Sequence, residues 1–326
     1  VGPLRFVIVL VAALALGACS DNSEMRPRDF RVALLTPGSI RDAGWNQGAY
    51  EGLQLVEKEL SAEIAHQETH TPQEFEEGFR DFAARGFDLV FGHGFEFQDA
   101  AAKVGAEFPK TVFITTSGST VRENVAPIVF EIEQATYVLG YIGAEMSRSG
   151  RLGVIGGMEI PSVASTFNAF EAGARASRAT VVLTRSYIGG WEDVAAAKEA
   201  TLAQIAQGAD VLIHNADAAG QGFFQALRES PQAVGFGTNR DQNSLAPDSV
   251  LASATLDIPR ALVLVAREVR DGVFKARPIE YGLKDGVVGI VWNEPLLEKR
   301  GGDIREQADA LVAQIESGTI TVPRSF

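Results

Sequence analysis

Cysteine is almost missing from this chain, with one in 326 residues. That excludes a disulfide framework and a cysteine-built zinc site, each of which needs at least a pair. Basic residues are also short, 29 Lys and Arg against 42 Asp and Glu, for a net charge of −13. A surface of that average sign repels a polyphosphate backbone, so nucleic acid is not an expected partner. The four histidines, His66, His70, His93 and His214, are scattered, with no His-Glu-x-x-His among them. His66 and His70 are i, i+4 but run into Thr71-Pro72, which reads as a solvated connection and not a metal clip. Ser117 has no Gly-x-Ser-x-Gly around it. No nucleophile has a plausible base, so no catalytic residue, metal or cofactor is expected. What remains is 46% hydrophobic and 22% charged, enough to bury real cores, and the length suits two domains.

The longest apolar or small run, Phe6 to Ala18, has thirteen residues, and a membrane-spanning helix needs about 20. Arg5 precedes it, and Leu16-Gly17-Ala18-Cys19 closes it before a polar stretch. A positive start, a short apolar core and a small-residue end are the layout of a secretory signal. Leu-Gly-Ala-Cys also resembles the bacterial lipobox, so residues 1–18 are expected to be a signal peptide and Cys19 the lipidated residue. Two acyl chains suffice for stable membrane anchoring. Residues 19–29 read as the lipidated tether, and the location expected is the cell envelope, on the periplasmic or extracytoplasmic face of a membrane.

Beyond Phe30, short β-rich apolar runs alternate with longer amphipathic stretches, the pattern of an α/β fold with parallel sheets covered by helices. Strands are predicted at 31–35, 88–91, 111–115, 128–130, 151–155, 180–183, 210–214, 233–236 and 249–252. The chain also echoes itself. Ala84-Arg85-Gly86-Phe87-Asp88-Leu89-Val90 parallels Ala206-Gln207-Gly208-Ala209-Asp210-Val211-Leu212, and Pro109 parallels Pro231, both at an offset of 122. Arg31-Val-Ala-Leu-Leu parallels Arg151-Leu-Gly-Val-Ile, and Ala49-Tyr50-Glu51-Gly52 echoes Ala169-Phe170-Glu171-Ala172-Gly173. Each echo has a local reason, since a glycine can end a helix and an aspartate then open a buried strand. A nearly constant offset implies in addition two similar lobes. In doubly wound sheets ligands bind beyond the carboxyl ends of the strands, so function is expected in a cleft between the lobes.

The loops that would face this cleft carry the candidate residues. Asp42, Trp45 and Asn46 follow the first strand, and His93 and Phe95 lie in Gly92-His93-Gly94-Phe95-Glu96-Phe97. In the second lobe come Trp191, then Asn215 and Asp217, then Asn239. An indole flanked by polar groups offers a flat apolar face with hydrogen bonds at its edge. Trp45 and Trp191 come from opposite lobes, and two facing aromatics would hold a planar ligand.

Several ordered motifs carry a resemblance to a known family. Asp42-Ala-Gly-Trp45-Asn46-Gln47-Gly-Ala-Tyr-Glu-Gly resembles the first-loop signature of the basic membrane protein family of substrate-binding lipoproteins, where the aromatic is usually Phe. Gly94-Phe95-Glu96-Phe97-Gln98-Asp99, Gln134-Ala135-Thr136-Tyr137, Gly156-Gly157-Met-Glu-Ile-Pro161 and Gly282-Leu283-Lys284-Asp285-Gly286-Val287 are similar to its later motifs, in order. The resemblance implies a type I periplasmic-binding fold, two doubly wound parallel-sheet lobes joined by a three-segment hinge, with chain crossings near 131, 252 and 284. The lobes would be 30–130 plus 253–283 and 131–252 plus 284–326. It also implies a receptor for an ABC permease and ATPase, with no enzymatic activity, whose ligand is a purine base or nucleoside held between two aromatics that look like Trp45 and Trp191. Asp42, Asn46, His93, Asn215 and Asp217 are then candidates for its edge hydrogen bonds. Two departures bear on the ligand. Relatives that bind nucleosides carry an Asp and a Lys for the ribose hydroxyls, and those positions look like Asn239 and Leu256 here. A leucine desolvates a hydroxyl without bonding it, so a free base such as adenine is expected over the nucleoside. The rival readings are a nucleoside receptor of the same family, an enzyme of nucleoside or sugar metabolism on this scaffold, and a sensory receptor.

Overall fold

The computed structural model describes Gly2 and residues 30–42, 44–300 and 303–324. The expected signal, tether and lipidated Cys19 lie outside the described residues. The first lobe runs β1 (Arg31–Thr36), α1 (Trp45–Leu60), β2 (Glu63–Glu68), α2 (Pro72–Ala84), β3 (Leu89–Gly92), α3 (Gln98–Glu107), β4 (Val112–Thr116) and β5 (Val125–Phe130). The second runs α4 (Ile132–Met146), β6 (Arg151–Gly156), α5 (Pro161–Ser177), β7 (Val182–Tyr187), α6 (Val194–Ala206), β8 (Val211–Asn215), α7 (Gly220–Glu229), β9 (Val234–Asn239) and β10 (Val250–Leu256). The chain then returns for α8 (Ile258–Arg270) and β11 (Ile279–Tyr281), and finishes with β12 (Val288–Trp292), α9 (Glu294–Arg300) and α10 (Ile304–Glu316).

Two six-stranded sheets result, ordered β11-β5-β4-β3-β1-β2 and β12-β10-β9-β8-β6-β7. Five strands of one map onto five of the other in the same order, which is the structural content of the sequence echo. Only the sixth differs: β11 runs parallel to β5, and β12 antiparallel to β10. The central strands are buried on both faces, as covered parallel strands must be, so they read as near-continuous apolar runs. Alternate residues feed different layers, Val32 and Leu34 one cluster, Ala33 and Leu35 a second rich in phenylalanine that includes Phe79, Phe97 and Phe113.

The echoed residues have structural duties in both lobes. Gly86 and Gly208 follow α2 and α6 at φ of 80° and 97°, the left-handed conformation that lets a helix stop. Asp88 and Asp210 then anchor the chain entering the lobe's first strand, Asp88 accepting from the Arg31 backbone N–H at 2.9 Å and Asp210 from those of Arg148 and Ser149 at 2.8 and 3.0 Å. Gly52 and Gly173 are packing glycines. A Cβ on Gly52 would lie 3.0 Å from the Pro259 backbone in α8, and one on Gly173 would lie 1.9 Å from the Tyr137 carbonyl in α4.

Three chain segments cross between the lobes and are bonded to one another. Glu131 links β5 to α4 and donates its N–H to Tyr281, while Asp257 links β10 to α8 and donates to Val287. The third crossing occupies 282–287, where the Leu283 N–H meets the Gln134 side-chain oxygen at 2.8 Å. The crossing expected near 252 is corrected: that position lies inside β10, which stays paired with β9 up to Thr255. Beside the hinge, Arg324 ties the lobes again, contacting Glu133 of α4 at 3.2 Å and Glu280 of β11 at 2.9 Å.

Candidate functional site between the lobes

A cavity of about 650 Å³ opens between the carboxyl ends of the two sheets, lined from both sides. From the first lobe come Ser39, Asp42, Trp45, Asn46, Phe95, Glu96, Ser117 and Phe130. Across from them lie Ile160, Thr166, Trp191, Glu192, Asp193, Asn215, Asp217, Asn239 and Leu256. Of the nine ligand-site candidates read from the sequence, eight stand on this wall. The ninth, His93, does not.

Asp42 builds the first wall. Helix α1 begins after a glycine that has no side chain to cap it, and the Asp42 carboxylate takes that place, accepting N–H groups from Gly44 (2.9 Å), Asn46 (2.7 Å) and Gln47 (3.0 Å). An anion at a helix N-terminus satisfies donors that have no partner within the helix and complements the macrodipole. Most of the carboxylate is thereby committed to the fold.

Trp45, the first residue of the helix, is held on several sides. Its indole stacks on the imidazole of His93, with centroids 4.2 Å apart and planes 23° from parallel, and meets the Phe130 ring edge-on at 6.0 Å. His93 is fully buried behind it, Nε2 3.0 Å from the Trp45 carbonyl oxygen and Nδ1 3.1 Å from the Thr116 hydroxyl. A carbonyl only accepts, so Nε2 carries the hydrogen and Nδ1 accepts from Thr116. Burial pushes the imidazole down to about 3, and it is neutral. The expected edge bond from His93 to a ligand is therefore corrected: His93 positions Trp45. Beside them Asn46 is 5% exposed, and its side-chain oxygen has no hydrogen-bond partner.

The second wall is assembled differently. Trp191 follows β7 in an open loop, and its indole rests on Gly157, where a Cβ would come within 2.2 Å of the ring. Its carbonyl accepts the Ala219 N–H at 2.7 Å. Asn215, at the end of β8, lies 3.4 Å from the Thr166 hydroxyl, which would receive its amide hydrogen. Asp217 reaches across the cleft and accepts the Trp45 backbone N–H at 3.3 Å, so the two lobes touch at the start of α1. Removal from water pushes its carboxyl up to about 7, and the Asp42 carboxylate adds to the shift. A second tie between lobes, Arg240 to Glu51 at 3.3 Å, lies beside the hinge.

Four non-glycine residues have positive φ among those described, and three of them, Ser117 (60°), Asp217 (49°) and Asn239 (68°), line the cavity. Backbone held in this region costs energy and tends to gather at ligand sites. Ser117, weighed in the sequence only as a nucleophile, thus joins the wall, as do Phe130, Glu96, Ile160 and Thr166. Their common signal is position: Phe130 and Leu256 end the equivalent strands β5 and β10. His66, read as part of a solvated connection, is half-buried on β2, bonded to Thr36 at 2.9 Å and packed edge-on against Tyr50. Among the described residues no group of three His, Cys, Asp or Glu could hold a metal ion, and no helix is long and apolar enough to cross a membrane.

Two lobes of matching topology, three crossings and a strand-end cavity between them define a binding protein of the type I periplasmic-binding fold. A solute-binding protein of an ABC transporter system from Aeropyrum pernix superposes with a TM-score of 0.80 at 20% identity, over 91% of this chain and 94% of its own. The profile of the family described as ABC transporter substrate-binding protein PnrA-like matches residues 30–325, and the chain belongs to that family. Basic membrane protein A of Borreliella burgdorferi is 27% identical over 97% of this chain and 94% of its own. An ABC transporter nucleoside-binding protein of Lactococcus lactis subsp. cremoris is 25% identical, covering 97% of each. The family is one of ABC-transporter substrate-binding proteins.

Proposed function

We propose that this chain is the lipid-anchored, extracytoplasmic receptor of an ABC importer and that it binds a purine-type ligand flat between Trp45 and Trp191. One observation carries the reading: the two indoles belong to opposite walls of a single cavity, in a family with a nucleoside-binding relative. Base stacking on an aromatic is worth about 1–3 kcal/mol per contact, and a micromolar complex needs about −8 kcal/mol. Two stacks fall short, so edge hydrogen bonds from Asn46 and Asn215 and the exclusion of water by lobe closure supply the remainder. Asp42 contributes mainly by fixing the start of α1, and Phe95 by covering the ligand.

The free base, adenine foremost, is favoured over the nucleoside. Leu256 lines the cavity and is 8% exposed, so a ribose placed there would lose water from its hydroxyls and meet a side chain that bonds none of them. Asn239 supplies an amide where a carboxylate would hold the sugar. Titration calorimetry with adenine and adenosine side by side tests this, and tighter adenosine binding would make the protein a nucleoside receptor instead. Radiolabelled palmitate incorporated by the wild type and not by Cys19→Ala is the result expected of the anchor.

A further inference from the structure

The ionisable side chains on the cavity wall are all acids: Asp42, Glu96, Glu192, Asp193 and Asp217. No lysine, arginine or histidine stands among the lining residues. The nearest basic residues along the chain are turned to other uses, Arg240 pairing with Glu51 and Arg41 lying exposed beside Asp42 and off the wall. Two of the acids are partly offset by helix starts, Asp42 at α1 and Asp193 at α6, where it accepts the Ala196 N–H at 2.9 Å. Asp217 takes only the longer bond from the Trp45 N–H at 3.3 Å, Glu96 and Glu192 cap none of the α-helices that open onto the cavity, and none of the three forms an ion pair with a basic side chain among the described residues.

A second, independent feature points the same way. Asn46 stands on this wall with its side-chain oxygen enclosed and without a partner, an acceptor that an N–H donor of a guest would satisfy once the amide turns toward it. The two indoles add a third, because the face of a tryptophan is the strongest aromatic partner for a cation.

We propose, on the reading that the guest lies between Trp45 and Trp191, that this cleft selects a planar guest carrying positive charge and N–H donors and rejects one carrying negative charge. Phosphorylated and carboxylated heterocycles would meet carboxylates that no basic side chain of the wall offsets. A protonated or quaternised nitrogen heterocycle would meet carboxylates at its rim and indole faces above and below. Glu96, Glu192 and Asp217 are then residues that determine specificity by charge, separate from the stacking that determines shape.

Calorimetry on one ring system isolates charge from shape. The probes are adenine methylated on one imidazole nitrogen (neutral), adenine methylated on both (a fixed cation) and adenine with a carboxymethyl group on one (an anion). The cation is expected to bind about thirtyfold tighter than the neutral probe, the size of one desolvated cation–aromatic contact, and the anion to give no detectable heat. That advantage should shrink in Asp217→Asn and in Glu96→Gln. A second pair without a purine ring, N-methylnicotinamide (cation) and nicotinate (anion), separates this proposal from the purine reading. If only this pair is bound and the cation wins, charge selection stands and the purine reading falls. If the purines bind with the anion equal to or above the cation, charge selection falls and the purine reading stands. No binding by any probe overturns both.

Discussion

The two lobes share a strand order but hold their indoles in opposite ways. Trp45 is the first residue of a helix, backed by His93, edged by Phe130 and fixed through both its N–H and its carbonyl. Trp191 sits in a loop, resting on a glycine and fixed through its carbonyl alone among the bonds described. On the proposed clamp, the first wall is prepared before a ligand arrives, while the second consists of parts able to settle against it. Preorganisation lowers the cost of binding, so equal stacking areas need not contribute equally.

The largest effect should come from the prepared wall. Trp45→Ala removes a stacking face and also uncovers His93, so calorimetry should show an affinity loss near the upper end of the stacking range of about 1–3 kcal/mol; a smaller loss than for Trp191→Ala would reverse the order argued above. Trp191→Ala is expected to fall at the lower end of that range. Gly157→Ala should match it without touching the indole's chemistry, because the new methyl group occupies the ring's resting place, and wild-type affinity in that variant would mean that Trp191 does not use this seat.

Smaller effects divide fold from function. His93→Phe keeps a ring behind Trp45 but leaves the buried Thr116 hydroxyl unpaired and takes from the Trp45 carbonyl the second bond it holds beyond its place in α1, a cost of about 1–3 kcal/mol in denaturant unfolding with only a modest change in affinity. The smallest is a pH effect. With a carboxyl raised to about 7, Asp217 is neutral below that pH and charged above it, so affinity for a cationic ligand should rise between pH 6 and 8, whereas a neutral ligand should show little slope. The same shift acts on stability with the opposite sense. The unfolded carboxyl, near 3.8, has already lost a proton that the folded one retains, so Asp217 erodes stability as pH rises from about 4 to 7. Asp217→Asn should abolish both slopes.

Much of the architecture was legible because parallel strands buried on both faces leave apolar runs, and because the same glycines and aspartates recur wherever a helix stops and a strand starts. Strand β2, Glu-Ile-Ala-His-Gln-Glu, escaped because it is half exposed at a sheet edge and carries no such run, and the edge strands β11 and β12 escaped with it. The second crossing was misplaced because β10 continues through Ser253, Ala254 and Thr255, which look like a connection and are held as strand by neighbours on both sides. At the site, loop membership was readable and side-chain direction was not. His93 and Phe95 are two residues apart, yet one is buried behind Trp45 and the other lines the cavity. Asp42 looked available to a ligand because nothing local reveals that three backbone N–H groups converge on it.

The central claim is the clamp, and a crystal structure of the protein with adenine tests it most directly. The account predicts the purine plane in van der Waals contact, roughly 3.5–4 Å, with both Trp45 and Trp191, its edge toward Asn46 and Asn215. A purine lying elsewhere in the cleft, or touching one indole while the other faces solvent, would contradict it.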